Sequence, residues 1–248
     1  MHDFDLTGRR ALVTGSTEGI GKAIAQRLVL AGAEVILHGV TADASAALLQ
    51  QELASTGRPA NLVTADFADA AAVDAMISSV GHVDILVSNV AVQIKESLGS
   101  IQSTAIDHQV AVNMKAALRL IQAFLPYMQA QKWGRIVMIG SVQESVPHPD
   151  MIIYAALKAA QANMVKNIAR QTAGEGITVN AIAPGVILTN RNAAVLADPG
   201  YAKGVLAGIP ARCFGEAEDV AGTALLLCSD AGRYITGTNL PIDGGMHL

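Results

Sequence analysis

The segment Arg10-Ala-Leu-Val-Thr14-Gly15-Ser-Thr-Glu-Gly19-Ile-Gly21 sets the pattern that the rest of the chain repeats. Its first five residues predict a short buried strand, and residues 22–31 carry apolar side chains at helical spacing. A strand, a glycine-rich turn and a helix, in this order, present backbone N–H groups to a phosphate. Gly15 permits the tight turn, Gly19 a close approach to pyrophosphate, and Gly21 close packing of helix on strand. The spacing differs from the commoner G-x-G-x-x-G, so a plain strand-to-helix turn stays an alternative here.

Strands and helices then alternate to the end of the chain. Further strands are predicted at residues 34–38, 61–65, 83–87, 135–140, 177–182 and 239–242. Further helices are predicted at residues 43–55, 69–80, 104–130, about 154–173, 192–207 and 216–229. This alternation is typical of a doubly wound α/β fold, a parallel sheet with helices on both faces, in a single domain over residues 1–248. Ligands bind such a sheet beyond the carboxyl ends of its strands, so Gly15, Asp66, Asn89, Ser141 and Pro184 are expected at one edge.

Composition narrows the class of protein. The net charge of −4 and the lack of a basic block argue against nucleic acid or an anionic membrane as partner. No apolar run approaches the roughly 18 residues of a membrane span, and the acidic N-terminus lacks a signal-peptide core. Cys213 and Cys228 have no metal-binding spacing and look like small hydrophobes in a reducing compartment. We therefore expect a cytoplasmic protein without a metal site.

Three polar side chains surround the end of the predicted fifth strand. Ser141 follows that strand, and Tyr154 and Lys158 stand four residues apart on one face of the next helix. A phenol has a reference pKa of about 10 and is a poor base near neutral pH. A cation held close by lowers that pKa. These residues are thus predicted to exchange a proton with a substrate oxygen, although a Tyr-x-x-x-Lys pair alone is more often an ordinary helix surface.

Several motifs, taken together, make the chain resemble the short-chain dehydrogenase/reductase family over essentially its whole length. The motifs that carry the resemblance are Thr14 to Gly21, Asn113, Ser141 with Tyr154 and Lys158, Asn180 to Gly185 with Thr189, and Asp243-Gly244-Gly245. The resemblance implies a Rossmann-type sheet of seven parallel strands. It also implies an oxidoreductase that interconverts a secondary alcohol and a ketone with NAD or NADP.

The resemblance further assigns roles to residues. Tyr154 would pass a proton to or from the substrate oxygen, and Lys158 would lower the pKa of Tyr154 and hold the nicotinamide ribose. Ser141 would orient the substrate, and Asn113 would hold a water that links Lys158 to solvent. Asp66 and Phe67 would flank the adenine. The predicted cofactor-binding residues are Gly15, Thr17, Glu18, Gly19, Ile20, Gly21, His38, Asp66, Phe67, Asn89, Ala91, Tyr154, Lys158, Pro184, Gly185, Ile187 and Thr189.

Some positions depart from the family pattern. Val90 and Ala91 stand where the family often has Ala-Gly, which leaves less room beside the cofactor and predicts a local adjustment. The end of the second strand has Gly39 in place of an acid that would select NAD, and Val40 in place of a base that would bind the phosphate of NADP. Glu18 would repel that phosphate, so NAD is favoured. His38 is either a weak phosphate contact or a neutral strand histidine.

The substrate is predicted from the polar residues expected around the pocket. Ser141, Gln143, His148, Asn190 and Arg191 suit a small polyol, sugar or hydroxy acid, unless they are merely exposed loop residues. Residues 188–212 are expected to form a lid. A 3-oxoacyl-thioester (acyl-carrier-protein) reductase is the alternative activity, and a non-catalytic dinucleotide-binding regulator is a third. The family usually forms tetramers, so a homotetramer is expected.

Overall fold

Seven parallel strands form one sheet in the order β3-β2-β1-β4-β5-β6-β7 in the computed structural model, which describes residues 2–248. The strands are Arg10–Val13 (β1), Glu34–Gly39 (β2), Asn61–Thr64 (β3), Ile85–Ser88 (β4), Gly134–Ile139 (β5), Ile177–Pro184 (β6) and Asn239–Ile242 (β7). The order reverses direction between β1 and β4, which leaves a crevice at their carboxyl ends. The predicted seven-stranded Rossmann-type sheet is confirmed.

Helices cover both faces of this sheet. They are Gly19–Leu30 (α1), Ala44–Ser55 (α2), Ala70–Val80 (α3), Ser103–Val110 (α4), Ala116–Gln131 (α5), Ile152–Thr172 (α6), Asn190–Leu196 (α7), Pro199–Ala207 (α8) and Ala217–Cys228 (α9).

Two hydrophobic cores lie on opposite faces of the sheet because alternate residues of a strand point to opposite sides. Ala11 and Val13 of β1 pack with side chains of α1 and α9 in one core. Leu12, between them, packs with side chains of α3 and α5 in the other. Both faces of the central strands are therefore buried, which explains why these strands are apolar runs without alternation.

The predicted helix over 104–130 is two helices. A π-helical turn, Ala111–Lys115, separates α4 from α5. The single-helix prediction was wrong because one wider turn barely changes the spacing of apolar residues, and that spacing was the signal used.

The predicted helix over 192–207 is also divided. The carboxylate of Asp198 accepts hydrogen bonds from the backbone N–H groups of Gly200 and Tyr201, and Pro199 begins α8. An Asp-Pro pair of this kind starts a new helix, since Asp caps the N-terminus and Pro fits its first turn.

No helix within residues 2–248 combines the length and apolarity needed to cross a membrane.

Candidate active site

The glycine-rich turn after β1 holds its backbone in conformations that side chains disfavour. Gly15 and Gly19 have φ values of 62° and 54°, in the left-handed region. A Cβ atom on Gly21 would lie 2.1 Å from the carbonyl oxygen of Gly15. The helix α1 thus starts in direct backbone contact with the turn, and N–H groups at its N-terminus border the cavity that a phosphate would enter.

His38 supports this turn from β2. It is 1% exposed, and burial lowers its pKa to about 4. Its Nδ1 accepts a hydrogen bond from the backbone N–H of Gly15 at 3.0 Å, and its Nε2 lies 3.2 Å from the carbonyl oxygen of Ala65. Both ring nitrogens are engaged with the protein itself, which fits a neutral strand histidine better than a phosphate contact.

The turn after β4 is tied to the same glycine-rich turn. The side-chain amide of Asn89 donates to the carbonyl oxygens of Thr14 and Gly15, at 2.9 and 3.0 Å. Val90 lies against Gly15, since its Cγ2 would be 3.1 Å from a Cβ added there. The larger residues at 90 and 91 are accommodated without displacing these hydrogen bonds.

Ser141, Tyr154 and Lys158 meet beyond the carboxyl end of β5, and all three line one cavity. Tyr154 and Lys158 lie on the buried face of α6 and are 5% and 2% exposed. The Lys158 Nζ lies 5.6 Å from the centroid of the Tyr154 ring and donates to the carbonyl oxygen of Ile139 at 2.6 Å. The Ser141 Oγ accepts from the backbone N–H of Gln143 at 3.2 Å, and its hydroxyl hydrogen-bonds to the Tyr154 phenol, which favours the ionised form of that phenol.

The electrostatics of this group differ from the sequence expectation. Burial raises the pKa of Tyr154 above its usual value, and the cation that most lowers it is Arg191, not Lys158. Burial, reinforced by the charge of Arg191, lowers the pKa of Lys158 to about 7. Burial thus disfavours the charged form of both side chains, and the Arg191 guanidinium is a further cation beside the phenol that the sequence analysis did not assign to this role.

Asn113 lies in the π-helical turn rather than in the cavity. Its side chain exchanges two hydrogen bonds of 2.8 Å with the backbone of Val92, which fixes the segment after β4. The backbone carbonyl oxygen of Asn113 accepts a hydrogen bond from the side-chain amide of Gln161, a buried residue that the sequence did not single out. A water bound at this carbonyl would share it with the Gln161 amide. The Oε1 atom of Gln161 is buried and has no partner among the described residues.

One cavity of about 460 Å³ collects most of the predicted site residues. Those that line it are Gly15, Thr17, Glu18, Gly19, Ile20, His38, Asn89, Ala91, Ser141, Gln143, His148, Tyr154, Lys158, Pro184, Gly185, Ile187, Thr189, Asn190 and Arg191. Four predicted residues lie outside the lining: Gly21, Asp66, Phe67 and Asn113. Phe67 packs on the His38 ring at 4.5 Å, and Asp66 is exposed and accepts from the N–H of Ala68.

The cavity also has lining residues that the sequence did not single out. Lys95 lies in the loop after β4, and Tyr201 lies on α8. The sequence marked them only by position, Lys95 after a predicted strand and Tyr201 inside the expected lid. The cavity runs from the end of β2, past the glycine-rich turn, to the segment 184–189, which fits an elongated molecule with phosphates near its middle. No group of three or more metal-ligating side chains occurs in the described part of the chain.

Comparison with known proteins agrees with this arrangement. The family model described as Enoyl-(Acyl carrier protein) reductase matches residues 15–247. The chain is 35% identical over 245 residues to 3-oxoacyl-[acyl-carrier-protein] reductase FabG of Salmonella typhimurium, covering 97% of this chain and 98% of that protein.

Two solved structures illustrate the range of similar proteins. A 3-oxoacyl (acyl-carrier-protein) reductase from Agrobacterium tumefaciens with NADP bound is 40% identical, with a TM-score of 0.93 and coverage of 98% and 96% of the two chains. A gluconate 5-dehydrogenase from Burkholderia cenocepacia in complex with NADP and tartrate is 32% identical, with a TM-score of 0.92 and coverage of 99% and 97%. With the sheet order, the glycine-rich turn and this degree of identity, the chain belongs to the short-chain dehydrogenase/reductase family and is an NAD(P)-dependent oxidoreductase acting on CH–OH groups.

Proposed function

We propose that this enzyme interconverts a secondary alcohol and a ketone on a small polar substrate such as a polyol, sugar or hydroxy acid. The observation that carries the proposal is the shared cavity, in which Ser141 and Tyr154 face the same space as Gln143, His148 and Arg191. Because the dinucleotide would occupy much of the same cavity, little space remains for a long chain. Polar groups around a small remaining volume favour a short hydroxylated molecule.

The chemistry divides between the cofactor and the chain. The bound nicotinamide supplies the acceptor or donor of hydride. In the direction of oxidation, Tyr154 in its ionised form would take the hydroxyl proton of the substrate, and the charge of Arg191 favours that form. A nicotinamide bound in the cavity would accept the hydride from the same carbon, so that the alcohol becomes a ketone. The Ser141 hydroxyl donates a hydrogen bond to the reacting oxygen and orients it. Burial of Tyr154 keeps water away from this proton transfer.

We propose that the enzyme accepts both NAD and NADP. The end of β2 carries Gly39 and an exposed Val40, so it offers neither an acid to bind the ribose hydroxyls nor a base to bind the extra phosphate. The Glu18 carboxylate, which was expected to repel that phosphate, accepts a hydrogen bond of 2.9 Å from the Asn190 amide. The preference for NAD expected from the sequence is not supported, because NADP is bound in the related structure from Agrobacterium tumefaciens.

Residues 188–212 are proposed to cover the cavity, since Asn190, Arg191, Val195, Tyr201 and Val205 of α7 and α8 line it. A homotetramer and a cytoplasmic location remain part of the proposal. Size-exclusion chromatography with light scattering would test the tetramer directly.

A 3-oxoacyl-thioester reductase is the second candidate, supported by the curated relative and by the solved structure from Agrobacterium tumefaciens. An acyl-carrier protein is acidic and needs basic residues at the cavity mouth. The basic residues of 188–212 are Arg191, Lys203 and Arg212, and of these Arg191 alone lines the cavity. This count favours the small polar substrate.

The test is a panel of sugars, polyols, hydroxy acids and acetoacetyl thioesters, followed by nicotinamide absorbance with each cofactor. We expect turnover of a small hydroxylated compound by the wild type and loss of turnover in Tyr154→Phe, with cofactor affinity nearly unchanged. Full activity in Tyr154→Phe would reject the mechanism. Efficient turnover of thioesters alone would select the second candidate, and cofactor binding without any turnover would indicate a regulator.

A further inference from the structure

Arg191 occupies an unusual place in the cavity. It is the second residue of α7, yet its guanidinium reaches across to the turn after β4, where Nη2 donates to the carbonyl oxygen of Ala91 at 2.9 Å. Its charge acts on Tyr154 and Lys158 at the same time. The guanidinium lines the same cavity as Tyr154, the side chain that is proposed to exchange a proton with substrate.

The charges around the cavity leave this guanidinium without an acidic partner. Glu18 is the one acidic residue in the lining, and its carboxylate bonds to Asn190. Glu144 lies near Lys158, but its carboxylate bonds to Asn239. Within residues 2–248, none of the ion pairs includes Arg191.

The geometry of the group selects its ligand. Arginine has five N–H donors in a planar fork, of which Ala91 takes one and the Tyr154 phenol another. The remaining donors fit the two oxygens of a carboxylate in a bidentate pair. Because the guanidinium neighbours Tyr154, an anion bound there lies close to the reacting carbon rather than at the far end of a long substrate.

We propose that Arg191 binds a carboxylate of the substrate, so that the enzyme acts on a small hydroxy acid and the corresponding oxo acid. This inference rests on the proposed function and narrows its substrate class. A monoanion matches the single unpaired guanidinium. A phosphate ester carries more negative charge than the one guanidinium of Arg191 balances. The other basic side chains in the cavity lining are Lys95, which is exposed, and Lys158, which is buried.

The test compares compounds that share a skeleton. The wild type and the variants Arg191→Gln, Arg191→Lys and Arg27→Gln would be assayed with 3-hydroxybutyrate and gluconate, with their neutral amides, and with phosphorylated counterparts. Arg27→Gln is the control, because Arg27 is exposed on α1 and lies outside the cavity lining. Loss of hydrogen bonds to a charged group corresponds to a fall of about 10- to 100-fold in the acid-to-amide ratio of kcat/KM. We expect this fall in Arg191→Gln, mostly through KM, partial retention in Arg191→Lys, and no change in Arg27→Gln.

The ratio separates binding of the carboxylate from any effect of Arg191 on the phenol, because the latter acts on acid and amide alike. Equal use of acids and amides by the wild type, or an unchanged ratio in Arg191→Gln, would overturn the inference while leaving the oxidoreductase intact. A preference for phosphorylated compounds that Arg191→Gln abolishes would replace the carboxylate by phosphate. Absence of turnover for every compound would count against the proposed function itself.

Discussion

The backbone N–H of Gly15 donates a hydrogen bond to Nδ1 of His38, and this bond joins the glycine-rich turn to the interior of the sheet. Because Nδ1 is the acceptor, the ring is in the tautomer with its proton on Nε2, next to the carbonyl oxygen of Ala65. Protonation of Nδ1 would place two N–H groups against each other. The hydrogen bond that holds the glycine-rich turn therefore requires the neutral form of the His38 imidazole.

We predict that His38 makes stability depend on pH. Its pKa is about 4 in the folded protein against 6.5 for the unfolded reference, so the unfolded chain binds more protons between these values. The contribution is fully present above pH 6.5 and is lost as the pH falls toward 4, with a total of about 3 kcal/mol. Urea unfolding at several pH values should show a shallower pH dependence in His38→Asn than in wild type. Replacement of the exposed His108 by Asn is the control, and identical slopes for wild type and His38→Asn would contradict the prediction.

We predict opposite effects for two glycine-to-alanine substitutions in helices. In Gly21→Ala the new methyl group would meet the carbonyl oxygen of Gly15, and backbone would have to move. A loss of about 1–3 kcal/mol in the free energy of unfolding, with weaker cofactor binding, is expected. Gly222 lies inside α9 with no atom within 4 Å of an added Cβ, so Gly222→Ala should stabilise by about 1 kcal/mol. Thermal unfolding and cofactor titration measure both effects, and a neutral Gly21→Ala would refute the close contact.

We predict that Gln161 positions the Lys158 region. Its amide holds the carbonyl of Asn113, and it lies three residues after Lys158 on the buried face of α6. Gln161→Leu removes that hydrogen bond at a cost of about 1 kcal/mol and should lower kcat more than it raises KM. Gln161→Glu adds an anion near Lys158, beside the existing charges of Glu144 and Arg191, and should move the pH midpoint of kcat upward.

Thr172→Val, at a buried position on the same helix, is the matched control for Gln161. A purely structural role would lower the melting temperature of the Gln161 variants and leave their pH profiles superimposed on that of the wild type. That outcome would exclude the positioning role.

We predict that Val40 controls cofactor choice. It is 62% exposed at the β2 end of the cavity, where a longer cationic side chain has room. Val40→Arg should raise the NADP-to-NAD ratio of kcat/KM by about 10-fold or more, through charged hydrogen bonds to the extra phosphate. Leu30→Arg, an exposed position on α1 outside the cavity, controls for added charge alone. An equal rise in both variants would show that the effect is not local.

The features predicted correctly from sequence are those that depend on local pattern. The strands that precede Gly15, Asn89 and Ser141 were recognisable because each is an apolar run followed by a polar or glycine residue. Parallel pairing then brings the carboxyl ends of these strands together. The partners of Gln161 and Arg191 depend instead on how separate helices pack over the sheet edge. No spacing in the sequence gives the distance from α7 to the turn after β4. The Asp-Pro pair at 198–199 marks the break between α7 and α8. The break was missed because apolar residues follow helical spacing on both sides of it.

Two exposed hydrogen bonds join the start of the short helix α7 to neighbouring turns, Asn190 to Glu18 on one side and Arg191 to Ala91 on the other. Solvent-exposed hydrogen bonds of this kind contribute about 0.5–1.5 kcal/mol each, so releasing both costs about 1–3 kcal/mol. We expect the unfastened form to make up roughly one molecule in six to one in 160 at equilibrium. Entry and departure of small molecules would then proceed through thermal fluctuation of seven residues, without unfolding of the sheet or repacking of either core.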